Sequence, residues 1–467
     1  MIELTKNFGN KKYETHMLNK ILIALFLGSV TLFGQSHKDL IQGPFATPQD
    51  VTKTCLTCHE SSAQQIIKTS HWTWMDEKYE DSRHNVKQFG KKNFINNFCL
   101  AVTSNYPRCT SCHVGYGWKD VTFDFTKEEN VDCLVCHDQS GTYKKNPTGA
   151  GMPEKNVDLL ISAQSVGKPT RKNCGMCHFD GGGGTGVKHG DMDDSLYDPK
   201  PETDIHMGKL GYHCTECHKT NEHKIMGASH GSMAANANHI YCTDCHKDAI
   251  HKNETLNKHI ASIACETCHI PEFARVEPTK VWWDWSKAGE DRPESKDEFG
   301  RETYNKMKGE FKWAKSVIPT YKWYNGSALY YSAGDKIEPT KIVLLNTLNG
   351  DIKDPQAKIS PFKVMRGSQI YDSQNNYLVV PKLFGEGGYW KNYDWNLASQ
   401  LGMKELSLPY SGSYSFIETE MYWPINHMVA PKEKALKCNS CHSKEGRLNW
   451  KALGYSGDPM KVKGRKF

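Results

Sequence analysis

The sequence predicts a mainly α-helical fold with much irregular structure and only minor β-structure in the C-terminal part. The chain has 467 residues, but its hydrophobic fraction of 38% is low for a length that should bury a large core. Most of its 17 cysteines occur in close pairs that are followed at once by histidine. The stretch between residues 270 and 437 is rich in Trp, Tyr, Pro and Gly and shows no clean helical period. Large apolar groups bound to the chain would compensate for the missing protein core.

Few segments have a clear secondary-structure pattern. Helices are expected around Ser61–Glu77, where Ser61 is a suitable N-cap, and around Leu256–Ala264. Short apolar and β-branched runs predict strands at Ile342–Leu345 and Tyr377–Val380. The C-terminal part is therefore expected to contain little sheet.

The N-terminus, residues 1–35, has the pattern of a secretion signal. Basic residues precede an apolar run at 21–33, and small or polar residues follow it. The run is too short for a typical transmembrane helix, and Met17 is an alternative start of the chain. We therefore expect export to the periplasm, removal of this segment and no stable membrane insertion of the mature protein.

Eight C-x-x-C-H units account for sixteen of the seventeen cysteines. Seven lie within residues 36–270, and the eighth lies in the aromatic-rich region 271–467, which is therefore expected to fold back onto the first region. Their irregular spacing excludes a repeat of fixed period. The units are Cys55-Cys58-His59, Cys109-Cys112-His113, Cys133-Cys136-His137, Cys174-Cys177-His178, Cys214-Cys217-His218, Cys242-Cys245-His246, Cys265-Cys268-His269 and Cys438-Cys441-His442.

C-x-x-C-H is the attachment motif of haem c, in which two thiols bond to the haem and the histidine binds its iron. A zinc site needs two cysteine pairs per metal and does not explain a histidine after every second cysteine. A thioredoxin-like site needs a single redox pair. We therefore expect eight covalent haem c groups. Their propionates would add roughly −16 to the formal charge of +6, so the basic composition does not indicate a nucleic-acid partner.

Eight irons need sixteen axial ligands, of which the motif histidines supply eight. Of the other histidines, His16 and His37 are set aside because they lie in or beside the secretion signal. The pool is large enough to give every iron two histidines, so counting alone does not predict a reactive haem. The predicted distal ligands are His71, His189, His206, His223, His251, His259 and His427. The remaining candidates, interpreted as bystanders or replacements, are His84, His213, His230 and His239.

One cysteine, Cys99, belongs to no motif. A buried and inert thiol is one interpretation. An unpaired cysteine is unusual in an exported protein, however, and beside a reactive haem its thiolate would be able to attack a sulfur–sulfur bond. The residue alone does not decide between these interpretations.

Six short segments have distinctive local sequences. They are NFCL at 97–100, PRCTSCHVGYGW at 107–118, VDCLVCHD at 131–138, GGTGVKHGD at 183–191, IACETCHIP at 263–271 and WPINHMVAP at 423–431. With the layout of seven motifs plus one, they resemble the octahaem tetrathionate reductase family from about residue 50 to the C-terminus. Hydroxylamine oxidoreductases and octahaem nitrite reductases are more distantly similar, and the C-x-x-C-K motif usual in the latter is absent from this sequence.

The resemblance implies that the haem of the second motif is the reactive one. Cys109 and Cys112 would hold this haem together with His113, and Cys99 would line its pocket. Residues 270–437 would cover it.

The resemblance also implies that a lysine from elsewhere in the chain ligates the iron of this haem. Lys188 is our choice for this lysine, and Lys144 or Lys145 is the competitor. A neutral amine is needed to bind iron, so burial and the metal must lower its pKa strongly. Seven distal histidines and one lysine then complete the ligand count.

The function that the resemblance implies is the reduction of tetrathionate, or of nitrite and hydroxylamine, in the periplasm. The partners would be a small inorganic substrate and a periplasmic or membrane-associated electron donor. A non-enzymatic multihaem electron-transfer cytochrome is the alternative. Nothing in the sequence supports a structural calcium ion.

Overall fold

The computed structural model of the chain consists of an N-terminal part of short helices and turns, followed by a C-terminal part built on a β-sheet. The predicted secretion signal, Cys99, His84 and His230 lie outside the described residues. Within the described part of the chain, no helix is long and apolar enough to cross a membrane. The structure describes residues 36–75, 81, 89–98, 100–181, 183–227, 239–247, 250–462 and 464–465.

The α-helices are short, and several of them contain or adjoin a cysteine motif. Because residues i, i+3 and i+4 share one helix face, a helical turn brings both thiols and the histidine of a motif to the same side. The helices of the described residues are α1 His37–Leu40, α2 Pro48–Leu56, α3 Ser62–Ile66, α4 Ser70–Thr73, α5 Tyr106–Cys109, α6 Leu134–His137, α7 Leu159–Gln164, α8 Arg171–His178, α9 Cys214–Cys217, α10 Glu254–His259, α11 Cys265–His269, α12 Tyr389–Asn392, α13 Trp395–Glu405 and α14 Cys438–Cys441.

The helix expected over Ser61–Glu77 is divided into α3 and α4. Thr69 separates them in an extended conformation, and its hydroxyl donates to the carbonyl of Ile66 at 2.7 Å. This local bond competes with a continuous helix, as threonine hydroxyls often do. The helix expected over Leu256–Ala264 is shifted toward the N-terminus as α10, because the Asn253 side chain caps it by accepting from the backbone N–H of Thr255.

The sheet of the C-terminal part is much larger than the sequence predicted. It has eight strands, of which six follow the order β4-β5-β3-β10-β12-β8, and β6 and β11 also pair with β10. Two-stranded sheets are formed by β1 with β2 and by β7 with β9. The strands are β1 Thr220–Asn221, β2 Lys224–Ile225, β3 Thr279–Asp284, β4 Tyr304–Asn305, β5 Gly309–Ala314, β6 Thr320–Tyr324, β7 Ala328–Tyr330, β8 Val343–Leu344, β9 Asn346–Leu348, β10 Lys358–Asp372, β11 Tyr377–Leu378 and β12 Tyr414–Pro424.

The expectation of minor β-structure therefore had the right location and the wrong extent. The two predicted strands correspond to β8 and β11, but the central strand β10 was missed. Ten of the fifteen residues of β10 are buried, and they lie on both faces of the strand, including the polar residues Lys363, Gln369 and Asp372. A strand covered on both faces loses the alternation of apolar and polar residues by which a strand is recognised in a sequence.

The sheet packs against the N-terminal part through one large apolar cluster. Phe94 and Phe98 belong to this cluster together with Met365 of β10 and Trp423 of β12. Side-chain amides reinforce the contact, since Asn97 donates to the carbonyl of Met365 at 2.6 Å. The segment that precedes Cys99 is thus fixed by strands far away in the sequence.

Candidate haem sites

All sixteen motif cysteines lie in the described residues, and none of them forms a disulfide bond. In α8 and α11, whole motifs lie on a single helical run, so that both thiols and the histidine face one side. This geometry suits the attachment of one haem per motif.

Seven motif histidines are each paired with a second histidine. An iron bound by one nitrogen from each ring would place the ring centroids about 6 Å apart, because metal–imidazole bonds are about 2 Å long. The observed centroid distances of 6.1–6.4 Å therefore suit pairs of axial ligands. The pairs are His59 with His37, His137 with His223, His178 with His71, His218 with His427, His246 with His206, His269 with His251, and His442 with His259.

Hydrogen bonds orient many of these imidazoles. Where Nδ1 contacts an oxygen atom, Nε2 remains for the iron, which is the usual arrangement of a metal-binding histidine. Carbonyl, amide or carboxylate oxygens contact Nδ1 in seven of them. These contacts are His137 with Gly167 (2.9 Å), His218 with Met226 (2.8 Å), His223 with Gln65 (2.7 Å), His251 with Asn257 (3.2 Å), His259 with Thr255 (2.6 Å), His427 with Asp191 (3.1 Å) and His442 with Asp458 (2.5 Å).

Six of the seven predicted distal histidines lie in these pairs, and His189 does not. The ring of His189 packs on Trp423 at 5.4 Å instead. His37, which the sequence analysis set aside, pairs with His59. Its segment is held in place by Gln164 of α7, which donates to the carbonyl of Ile41 at 2.8 Å. The signal that was overlooked is the capping box of α1, in which Ser36 and Asp39 start an ordered helix directly after the predicted secretion signal.

The second motif differs from the other seven. Among the described residues, no histidine ring is paired with His113, which is completely buried. Its Nε2 lies 2.7 Å from the carbonyl oxygen of Trp72, and burial lowers the pKa of His113 to about 3, so the ring is neutral. Because a carbonyl only accepts, Nε2 carries the proton in this arrangement. Aromatic rings enclose the imidazole: Trp72, Trp74, Trp118, Phe123 and Phe125.

The three candidate lysines have very different surroundings. Lys145 lies 2.9 Å from the buried carboxylate of Asp132 and also donates to the carbonyl of His113. Lys144 is exposed. Lys188 is half-buried, with its Nζ 5.2 Å from the ring centre of Trp423. The ion pair of Lys145 with a buried carboxylate argues against this residue as an iron ligand, and Lys188 stays the predicted ligand.

The indole of Trp423 brings several of the predicted site residues together. Lys188 lies over its ring at 5.2 Å, His189 packs at 5.4 Å and Phe98 at 5.8 Å. Phe98 directly precedes Cys99 in the chain. A residue of β12 thus links the GGTGVKHGD segment to the segment that leads to Cys99.

Motifs that are distant in the sequence lie side by side. Four pairs of thiols are close enough to hydrogen-bond, and they join the first motif with the third, the second with the fourth, the fourth with the fifth, and the sixth with the seventh. Haems attached at these cysteines would be close neighbours. The pairs are Cys55 with Cys133, Cys112 with Cys177, Cys174 with Cys214, and Cys242 with Cys265.

Attachment motifs on helical turns and imidazole pairs at iron-binding distance define a c-type cytochrome with several covalent haems. Known proteins agree with this class. The family model of bacterial cytochrome c matches residues 280–445, and that of cytochrome c554 and c-prime matches residues 54–138. An uncharacterised protein of Archaeoglobus fulgidus is 26% identical over 238 residues, which cover 40% of this chain and 80% of that protein.

A solved structure extends the similarity to nearly the whole chain. The octahaem cytochrome c of Shewanella oneidensis is 53% identical and superposes with a TM-score of 0.87. The match covers 93% of this chain and 100% of the other. The chain therefore belongs to the same family of multihaem c-type cytochromes, which are redox proteins.

Proposed function

We propose that this protein carries eight haems and reduces a small inorganic substrate at the haem of the second motif. One observation carries the proposal. Seven motif histidines have a histidine partner, whereas His113 has none among the described residues and turns its Nε2 to Trp72. An iron with two histidines is saturated and suits electron transfer, whereas chemistry needs an exchangeable position.

Bound haem would supply one-electron transfer at each iron and, at the second motif, a position where a substrate can bind. Lys188 would provide a neutral amine ligand there, and after its displacement and protonation by solvent it would also be able to donate a proton. Lys91 places positive charge nearby, since it lowers the pKa of His113 further after the main effect of burial, whereas Asp132 compensates the charge of Lys145. A positive environment attracts anions such as tetrathionate and nitrite.

For tetrathionate, the proposed nucleophile is Cys99, which lies outside the described residues. Its thiolate would displace one thiosulfate by attack on the central sulfur–sulfur bond and form a cysteine–sulfur bond to the remaining half. Two electrons from a periplasmic or membrane-associated donor would cleave that bond, release the second thiosulfate and regenerate the thiolate. The reduction of nitrite or hydroxylamine needs no thiol. Replacement of Cys99 therefore distinguishes tetrathionate reduction from the reduction of these two nitrogen compounds.

Stopped-flow reoxidation of the fully reduced, haem-loaded protein tests this function. The protein is mixed separately with tetrathionate, nitrite and hydroxylamine. We expect rapid reoxidation by at least one of them, and loss of that phase in Lys188→Ala but not in Lys144→Ala. Cys99→Ser should slow the reaction with tetrathionate alone. Slow and equal reoxidation by all three compounds would instead indicate a non-enzymatic electron-transfer cytochrome.

A further inference from the structure

A completely buried lysine of the central strand contacts the backbone on which Lys188 is carried. The Nζ of Lys363 donates to the carbonyls of Val187 and Lys188, both at 3.0 Å, and to the hydroxyl of Thr279 at 2.6 Å. An ammonium group has three hydrogens, so the three acceptors match its capacity. Lys363 lies on β10, and its side chain has no exposed surface.

The hydroxyl of Thr279 contacts the two carbonyls that flank those of Val187 and Lys188. Its hydroxyl lies 2.7 Å from the carbonyl of Gly186 and 3.0 Å from that of His189. The backbone N–H of Lys280 also donates to Gly186, at 3.0 Å. Together with the bonds from Lys363, four consecutive carbonyls, 186 to 189, are therefore held by β3 and β10.

The fit between this segment and the sheet leaves no spare room. Gly186 has a φ of +70°, and a Cβ there would lie 2.5 Å from the carbonyl oxygen of Pro278. At Gly190, a Cβ would lie 2.4 Å from Phe273 and 3.2 Å from the Cδ of Lys363. Side chains at either position would push the segment away from the sheet, so the two glycines allow the close approach that the hydrogen bonds require.

We propose that Lys363, with Thr279, is the positioning group that fixes the backbone of Lys188 so that its amine reaches the iron of the second motif. This inference rests on the proposed function, because it takes Lys188 to be the iron ligand. A flexible four-carbon side chain loses conformational freedom when its amine binds iron, and a fixed backbone reduces that loss. Lys363 acts through Lys188 and does not itself touch the haem.

The full-length, haem-loaded protein allows a direct spectroscopic test. Near-infrared magnetic circular dichroism of the ferric protein distinguishes an iron with a lysine ligand from irons with two histidines. Lys188→Ala gives the reference spectrum without lysine ligation. Lys363→Met keeps the length of the side chain and removes its three donors, while Thr279→Val removes only the hydroxyl. Lys312→Met, on the exposed face of β5, is the control.

We expect Lys363→Met to lower the ratio of lysine-bound to lysine-free iron by roughly tenfold, because two carbonyls lose their hydrogen bonds. Thr279→Val should lower this ratio less, and Thr279→Ser, which keeps the hydroxyl, should have the ratio of the wild type. Lys312→Met should match the wild type. Haem content, measured as the pyridine haemochrome, identifies a variant that fails to fold; if Lys363→Met does so, the Thr279→Val and Thr279→Ser pair decides.

Two results would overturn the inference. One contradicts only the positioning role of Lys363, and the other also contradicts Lys188 as the iron ligand. If Lys188→Ala loses the lysine signal while Lys363→Met and Thr279→Val keep it in full, the ligand is correct and the positioning role is wrong. If Lys188→Ala keeps the lysine signal, Lys188 is not the ligand, and the corresponding part of the proposed function fails as well.

Discussion

The imidazole rings of His37 and His59 lie 6.2 Å apart and are nearly parallel, with an interplanar angle of 23°. This distance suits two ligands on opposite sides of one iron, so we expect His37 to be the distal ligand of the first haem. His37 lies just after the segment that the sequence analysis predicts to be a secretion signal.

Replacement of His37 tests this pairing. In His37→Ala, the first haem should remain attached through Cys55 and Cys58 but lose its sixth ligand, which produces a high-spin ferric signal in electron paramagnetic resonance. His189→Ala is the matched control, because its ring packs on Trp423. A high-spin signal in His189→Ala and none in His37→Ala would reverse the assignment.

Asp458 should set the potential of the eighth haem. Its Oδ1 lies 2.5 Å from Nδ1 of His442, and both side chains are 13% exposed. A carboxylate that accepts from a ligating histidine increases the electron donation of the ring and stabilises the ferric state. Asp458→Asn should therefore raise the potential of one haem in a spectroelectrochemical titration. The exposed Asp198→Asn should leave all potentials unchanged, and an unchanged titration in Asp458→Asn would contradict the prediction.

Lys145 should stabilise the fold and not ligate iron. Its ion pair with Asp132 is buried, with side-chain exposures of 4% and 0%. Lys145→Met would leave that carboxylate without its cation and should lower the free energy of unfolding by about 3 kcal/mol. Lys144→Met, at an exposed position, should change it by less than about 0.5 kcal/mol. Denaturant unfolding measures both, and loss of the lysine-bound iron signal in Lys145→Met would refute the assignment.

Asp372 should make the sheet sensitive to acid. Burial alone would raise the pKa of this carboxyl, but hydrogen bonds from Asn375 and Ser411 lower it to about 2. Because the pKa is lower in the folded state, this stabilisation is complete above pH 3.8, the pKa of an unperturbed carboxyl, and is lost as the pH falls toward 2.

The effect should appear as a pH-dependent cost of Asp372→Asn. At pH 7 the variant should be less stable than the wild type by about 2 kcal/mol, and the difference should shrink between pH 4 and pH 2. Chemical denaturation at several pH values measures it. A difference that stays constant down to pH 2 would show that folding does not lower the pKa of Asp372.

The candidate positions of haem attachment could be predicted from the sequence alone, whereas the extent of the sheet could not. A C-x-x-C-H unit is contained within five neighbouring residues, so it is recognised without knowledge of any distant contact. Strand β10 depends on partners from β3, β6, β11 and β12, and its burial on both faces hides the alternating pattern. The extent of the sheet therefore could not be predicted from the sequence pattern.

The choice among the three candidate lysines also depends on packing that the sequence does not show. Lys144, Lys145 and Lys188 are equivalent as residue types, and only the resemblance to a family ranked them. The buried carboxylate of Asp132 occupies Lys145, and the position of Lys188 beside Trp423 depends on β12. The burial of the ion pair between Lys145 and Asp132 is a property of the packed fold, so a sequence pattern does not reveal it.

The sequence by itself determined that this protein is a c-type cytochrome, because its attachment motifs are local and need no distant residue. Only the tertiary structure decided which histidine faces which motif and that His113 stands apart from the others. An axial partner is set by packing, as when His427 meets His218 across more than two hundred residues of chain. The sequence separation of two residues does not reveal such a contact, since His427 meets His218 only when the C-terminal part packs on the haem-binding region.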